Sequence, residues 1–169
     1  MKRIILTVLL ICSTVASAQQ YLTREARLSF DAGSPLEDIE AFTESGSAVF
    51  DASSGKIGVQ VLMTSFQFKR ALMQEHFNEN YVESEKFPKA SFKGTYNEGK
   101  VKGELSIHGV TKEISVPATL REDNENFVLT TAFDIILAEY NVKIPSAVAD
   151  KISKAASIQV QATLKSVGK

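Results

Sequence analysis

The fold of this chain depends on residues 66–93, FQFKRALMQEHFNENYVESEKFPKASFK, which interrupt an otherwise strand-forming sequence. Residues 70–81 follow the helical period, and one stripe of the predicted helix carries Leu72, Met73, His76, Phe77 and Asn80. A single amphipathic helix must lay its apolar face on another element, most simply on the open end or flank of a sheet. Phe87-Pro88 then ends the helical pattern. The sequence therefore predicts a strand, a helical lid, a turn and a strand.

Apolar and polar residues alternate with the strand period on both sides of this segment, in eight strand candidates. The second candidate reaches Phe50 and is broken near Gly46. The other seven have apolar faces formed by Leu22, Ala26, Leu28 and Phe30; Ile57, Val59, Val61 and Met63; Ala90, Phe92, Gly94 and Tyr96; Val101, Leu105 and Ile107; Ile114, Val116, Ala118 and Leu120; Phe127, Leu129, Phe133 and Ile135; and Ile158, Val160, Ala162 and Leu164.

Turn residues separate these candidates at hairpin spacing, and no βαβ rhythm is present. This pattern indicates an all-β protein with an antiparallel sheet, and eight strands can close into a barrel that has no free edges. Ser146 is predicted to cap a second short helix, over residues 146–154.

The first 18 residues have the pattern of a secretory signal peptide. Lys2 and Arg3 are basic, residues 4–12 are apolar, and Ala16-Ser17-Ala18 is a small-residue cleavage site. We therefore expect a periplasmic or secreted protein in which residues 19–169 form one domain. The chain has one cysteine, within the predicted signal peptide, so no disulfide is expected in the mature domain.

The charge pattern limits the classes of partner. The formal net charge is −1, and the sequence has no basic run. This balance argues against a nucleic acid or an anionic membrane as partner. Residues 19–169 contain no apolar segment long enough for stable membrane insertion. We expect a soluble domain, and the sequence leaves open whether it forms a homodimer.

Candidate catalytic and metal-binding residues are few. His76 lies on the apolar stripe of the predicted helix, and His108 sits at a tight turn, where we expect it to face solvent and to be structural. The acidic pairs Glu37-Asp38 and Glu83-Glu85 are interpreted as solvated loops. The inventory predicts no catalytic residue, no metal site and no enzyme activity.

Aromatic and aliphatic residues are abundant, and many cluster in and before the predicted helix. Ordinary core packing accounts for such residues, yet an eight-stranded barrel can be either filled or hollow enough for one small ligand. If it is hollow, the wall favours an elongated apolar guest. The predicted ligand-binding residues are Phe66, Phe68, Arg70, Leu72, Met73, His76, Phe77, Phe92, Ile107, Phe133 and Ile135.

Three stretches resemble the YceI-like family of polyisoprenoid-binding, lipocalin-like proteins. The first comprises Arg70, His76-Phe77, Tyr81 and KFPKASF at residues 86–92. The second, GELSIHGVTKEISVPATL at residues 103–120, is similar to the family's most specific motif. The third, from Phe133 through Tyr140 and Pro145 to residues 158–164, fits more loosely.

This resemblance implies an eight-stranded antiparallel lipocalin-like β-barrel, exported, without catalysis or a cofactor, that encloses a long isoprenoid or another lipid. Two features depart from the family pattern. Arg70 is followed by Ala71 where the family has aspartate, and residues 33–46 are short and poorly matched, so the mouth of the pocket is expected to differ.

Three functions compete at this level. The favoured one is a carrier or store for an apolar, isoprenoid-type lipid, whose polar end would meet Arg70 or His76. The second is a non-catalytic structural or stress-related envelope module with a filled barrel. The third is a lipid-acting enzyme that uses His76 or His108 as its base, which would require an acid or nucleophile beside that imidazole inside a cavity.

Overall fold

The computed structural model describes residues 19–167, so the predicted signal peptide lies outside the described residues. Nine strands are present in this part of the chain: β1 (Gln20–Gly33), β2 (Glu40–Asp51), β3 (Lys56–Leu62), β4 (Gln67–Phe68), β5 (Lys89–Asn97), β6 (Lys100–Ile107), β7 (Val110–Asp123), β8 (Asn126–Ile136) and β9 (Ile152–Ser166). The helix α1 (Ala71–His76) continues into a π-helical turn at Phe77–Tyr81, which confirms the prediction of a helix over residues 70–81. Short 3-10 turns lie at Met63–Ser65, Leu137–Tyr140 and Ser146–Val148.

The eight long strands form a closed antiparallel barrel, as the sequence predicts. Their order is β1-β9-β8-β7-β6-β5-β3-β2, and pairing of β1 with β2 closes the sheet on itself. β4 adds a two-residue pairing to the start of β2, where Ala41 lies opposite Phe68. Closure gives each long strand a hydrogen-bonded neighbour on both sides. The β7–β8 ladder is incomplete, since it begins at Ala118 and Thr131 and leaves residues 110–117 of β7 unpaired with β8.

The two ends of the barrel differ in what fills them. At one end Tyr21, Phe50 and Phe127 meet across the interior, with the Phe127 ring centre 4.7 Å from that of Tyr21 and 5.2 Å from that of Phe50. We call this the closed end. At the opposite end, which we call the mouth, the helical segment of residues 63–88 leaves the sheet between β3 and β5. The connections of residues 34–39 and 137–151 also lie at the mouth.

No helix among residues 19–167 is long and apolar enough to span a membrane.

A β-bulge in β1 corrects one predicted face. The alternation from Leu22 to Phe30 predicts Leu22 inside and Thr23 outside, but Leu22 is 37% exposed and Thr23 is buried. Between Thr23 and Ala26 the pairing of β1 with β2 shifts register, and an extra residue there reverses the direction of the side chains. The predicted break in β2 near Gly46 corresponds to a second register shift: Ala26 pairs with Gly46 and Leu28 with Thr43, so β2 has an extra residue between Thr43 and Gly46, although it remains one strand.

The second helical turn predicted over residues 146–154 is shorter than expected and lacks its predicted cap. Only Ser146–Val148 forms a single 3-10 turn, which follows Pro145 without a side-chain cap. Ile152 already pairs with Gly33 of β1, and β9 runs on from there to Ser166. The long ladders of β9 with β1 and β8 outweigh the weak local preference of a short helix.

Two facing glycines allow β5 and β6 to approach closely. Gly94 pairs with Gly103, and a Cβ on Gly103 would lie 2.2 Å from the Lys93 carbonyl oxygen and 2.4 Å from Gly94 Cα. A Cβ on Gly94 would in turn meet the Phe92 ring at 2.7 Å. Gly94 therefore leaves the space that the Phe92 ring occupies, and Gly103 allows the two strands to approach.

Replacing Gly103 by alanine is expected to destabilise the barrel by about 3 kcal/mol, because the added methyl group collides with backbone that cannot move aside. Chemical denaturation would measure the loss. Gly58→Ala is the matched control, since a Cβ there meets its nearest neighbour, Val49 Cγ2, at 3.3 Å. Equal stability of the two variants would contradict this account of Gly103.

Candidate ligand-binding cavity

An apolar cavity of about 450 Å³ occupies the interior between the aromatic cluster of the closed end and the mouth. Its wall is formed by inward residues of β1, β3, β5, β6, β7, β8 and β9, among them Leu28, Val59, Phe92, Leu105, Val116, Phe133 and Val160. The strand period places these side chains on one face, and closure of the sheet turns that face inward. The interior is therefore packed at one end and hollow at the other.

The helical segment covers the mouth through an aromatic cluster. The ring of Phe30, on β1, lies 5.3 Å from Phe66, 5.8 Å from Phe68 and 5.3 Å from Phe77, centre to centre. Phe77 is the first residue of the π-helical turn and is buried. Edge and stacked contacts of this kind add to the stability gained by burial. They hold residues 66–77 against the rim of the barrel.

All the predicted ligand-binding residues line this one cavity: Phe66, Phe68, Arg70, Leu72, Met73, His76, Phe77, Phe92, Ile107, Phe133 and Ile135. Whether they contact a ligand stays a prediction. Their burial differs from the expected apolar stripe, because Phe77 is buried whereas Leu72 is 61% exposed. Leu72 lies where the cavity meets solvent. One side of α1 therefore forms part of the cavity wall, and the adjacent side forms part of the outer surface.

Ion pairs tie the helical segment to the connection between β1 and β2. Arg70 donates a hydrogen bond to the Glu37 carboxylate, and Lys69 Nζ lies 2.7 Å from Asp38 Oδ2 and 3.4 Å from Glu40 Oε2. The hydrogen bond and charge of Asp38, followed by those of Glu40, raise the pKa of Lys69. Glu37 and Asp38 do lie in a loop, as predicted, and Asp38 is exposed, but both carboxylates are also paired. Glu37 also gives Arg70 a carboxylate partner, although the residue after Arg70 is Ala71 and not an aspartate.

His108 joins the helical segment to the barrel wall. It adopts a left-handed conformation with φ of 49° at the β6–β7 turn, and its side chain is only 8% exposed. Its Nε2 lies 3.1 Å from Glu83 Oε2 and its Nδ1 lies 3.0 Å from the Tyr140 carbonyl oxygen. The Phe87 ring packs edge-on at 4.7 Å. The expectation that His108 faces solvent was wrong, because Glu83 and Phe87 of the helical segment and Tyr140 of the β8–β9 connection enclose its side chain.

Neither histidine has the surroundings that a lipid-acting enzyme requires. His76 lines the cavity, but its Nδ1 lies 3.0 Å from the amide nitrogen of Asn80 rather than near an acid. His108 has an acid, Glu83, but does not line the cavity. Among residues 19–167 no group of three or more histidine, cysteine, aspartate or glutamate residues could hold a metal ion. The chemistry that this wall offers is burial of apolar atoms.

Sequence reasoning missed the residues that loops bring to the mouth. Glu37, Ile39, Val142, Lys151 and Ile152 all line the cavity. They lie in or beside connections without strand or helix period, so no periodic signal marks them. The β1–β2 connection was noted as acidic and irregular, but its sequence does not show that Ile39 points into the barrel.

The fold and its cavity are those of the lipocalin-like class of β-barrels. The family model for the YceI-like domain matches residues 23–164, and the chain therefore belongs to the YceI-like family. This confirms the resemblance found in the sequence motifs. A comparison with curated proteins found no match.

Solved structures share the fold at low sequence identity. A polyisoprenoid binding domain from Saccharophagus degradans, implicated in plant cell wall breakdown, has a TM-score of 0.75 at 13% identity, covering 89% of this chain and 99% of that one. BcnA of Burkholderia cenocepacia has a TM-score of 0.71 at 16% identity, covering 82% and 95%. A YceI protein of Campylobacter jejuni has a TM-score of 0.56 at 21% identity, covering 73% and 83%.

The contact between Glu83 and His108 is expected to depend on pH. Hydrogen bonds from Lys86 and then His108 lower the pKa of Glu83 below its ordinary value of 4.5. The ionised carboxylate therefore stabilises the fold above that value, and this contribution is lost as the pH falls through the lower pKa of the folded state. We expect the wild type to melt at a higher temperature than Glu83→Gln at pH 5, and this difference in melting temperature to shrink as the pH is lowered to 3.

The matched control is Glu85→Gln, because Glu85 lies two residues further along on the exposed surface. Its melting temperature should follow that of the wild type over the same pH range. A constant difference between the wild type and Glu83→Gln from pH 5 to pH 3 would contradict the role assigned to this carboxylate.

Proposed function

We propose that this protein binds one apolar lipid, with an isoprenoid chain as the favoured guest, and carries or stores it outside the cytoplasm. The observation that carries this proposal is the apolar cavity of about 450 Å³ between the closed end and the mouth. That volume falls within the range of about 300–1,000 Å³ that is usual for small-molecule sites.

Burial of hydrocarbon supplies the affinity in this proposal. Each methylene group moved from water into such a wall contributes about 0.8 kcal/mol, so a chain of several isoprene units gains many such increments. The wall near the β-strands is almost entirely apolar, whereas Arg70, Glu37, His76 and Lys151 lie among its lining residues. The apolar chain would occupy the barrel, and the polar end of the guest would lie near these residues.

Two further observations support the identity and location of the guest. The related domain from Saccharophagus degradans is described as polyisoprenoid binding, and it shares this fold over 99% of its length. The basic and apolar residues at 2–12, followed by Ala16-Ser17-Ala18, favour export of the protein. An exported lipid carrier needs a closed apolar interior because its cargo is insoluble in the aqueous compartment.

Lipid extraction and native mass spectrometry of protein purified from an exporting host would test the proposal. We expect one lipid per chain, with a mass ladder in steps of the isoprene unit if the guests are isoprenoids. A protein that is fully folded and free of lipid, and that takes up no added polyprenol, would instead support the competing function of a structural module.

Filling the cavity is expected to abolish binding while the fold is kept. Ala90 lines the cavity on β5, so Ala90→Phe places a ring where the guest would lie. We expect the variant to lose most of the co-purified lipid, which mass spectrometry would measure, while its circular dichroism spectrum stays that of a β-barrel.

The control for this variant is Thr95→Phe, which adds the same ring on the exposed outer face of β5. It should retain the lipid content of the wild type. Unchanged lipid content in Ala90→Phe would show that any bound lipid lies outside the barrel.

A further inference from the structure

Leu36 and Leu72 are the two most exposed large apolar side chains in the described part of the chain, at 67% and 61%. They lie on separate segments, Leu36 between β1 and β2 and Leu72 in α1. The Arg70–Glu37 ion pair lies beside both leucines in the sequence, since Glu37 follows Leu36 and Arg70 lies two residues before Leu72. Both leucines therefore belong to the parts of the mouth that this ion pair holds together.

Leu36 occupies the tip of a well-fixed turn. Ser34 and Glu37 exchange backbone hydrogen bonds of 2.9 and 3.2 Å, so that Pro35 and Leu36 form the tip between them. Ser34 Oγ accepts from the Leu36 backbone N–H at 3.1 Å and donates to the Asp150 carbonyl oxygen at 2.8 Å. Turn tips usually carry small polar residues. Here a large apolar side chain is held out in solvent by a turn anchored on both sides.

Leu72 connects the outer surface with the interior. It lines the cavity and is also largely exposed, so the apolar wall continues through the mouth to the outside. A lipid that enters along this route stays in contact with apolar atoms throughout. This continuity makes the Leu72 side of the mouth, beside which the Leu36 turn lies, the route we consider for a lipid.

We propose that this side of the mouth docks on the surface of a lipid bilayer, with Leu36 and Leu72 entering the interface while the guest is exchanged. The proposal rests on the proposed function, since it names the source of the lipid. Two leucines are too small a patch for a stable protein interface, which buries about 800 Å² on each partner. They suit a shallow, reversible insertion among lipid head groups.

The charges beside Leu36 and Leu72 indicate which lipid head groups the surface would bind. Lys69 and Arg70 are paired with three carboxylates, those of Glu37, Asp38 and Glu40. No excess of positive charge therefore remains there to attract anionic lipids. We infer that docking needs only a zwitterionic surface and depends weakly on salt concentration.

Flotation with phosphatidylcholine vesicles tests the docking separately from lipid storage. We expect the wild-type protein to bind, and Leu36→Ser to weaken vesicle binding about tenfold through loss of one large apolar contact. Leu36 does not line the cavity, so the amount of lipid that co-purifies should stay at the wild-type level. Val49→Ser is the matched control, because Val49 is 54% exposed on the outer face of β2, towards the closed end.

The possible results separate the two proposals. Wild-type protein that holds lipid but does not bind vesicles would overturn the docking and leave the carrier function standing. Equal losses in Leu36→Ser and Val49→Ser, or binding that requires anionic lipid, would also overturn it. So would a wild-type dimer that Leu36→Ser converts to monomer without vesicle binding, because a second copy would then cover the patch. Vesicle binding by lipid-free protein would support docking even if the storage proposal failed.

Discussion

Closure of the sheet through the pairing of β1 with β2 is the constraint on which the rest of the structure depends. It satisfies the backbone hydrogen bonds of both strands and turns the apolar face of every long strand towards one interior. Once the number of strands is set, the interior volume is largely set as well. What remains variable is how much of that volume the side chains fill.

Side-chain size along the barrel decides where the space lies. Tyr21, Phe50 and Phe127 converge at the closed end and fill it. Beneath the aromatic cluster around Phe30 at the mouth, the wall carries small residues such as Ala32, Ala90 and Ala156, and a cavity remains. The same ladder thus provides a packed core for stability at one end and an apolar site at the other. The barrel is therefore neither wholly filled nor wholly hollow, because side chains fill the closed end and leave a cavity towards the mouth.

Three kinds of contact hold the helical segment over the mouth. Aromatic packing around Phe30 holds the beginning of the segment, and the ion pairs of Lys69 and Arg70 join it to the β1–β2 connection. Near its end, Glu83 contacts His108 of the barrel wall. The ion pairs are exposed and each contributes little to stability. They do fix the position of the segment relative to the rim, and therefore the shape of the opening.

The local patterns were sufficient to predict most of the fold. Alternation of apolar residues predicted eight strands, the helical stripe from Leu72 to Phe77 predicted α1, and hairpin spacing predicted an antiparallel barrel. These predictions held because the period of a strand or helix is a local property. Errors arose where a distant partner overrides the local signal, as at the bulge of β1 near Thr23 and at the start of β9, where Ile152 pairs with Gly33.

The sequence by itself determined the strand periods, the apolar composition of the inner wall and the family motif around His108. Only the tertiary structure decided that the interior is hollow at the mouth, that Glu37 pairs with Arg70, and that His108 is enclosed by Glu83, Phe87 and Tyr140. The physical reason is that a period fixes which face a residue occupies. Free volume and charge pairing depend on segments far apart in sequence, which meet only when the barrel closes.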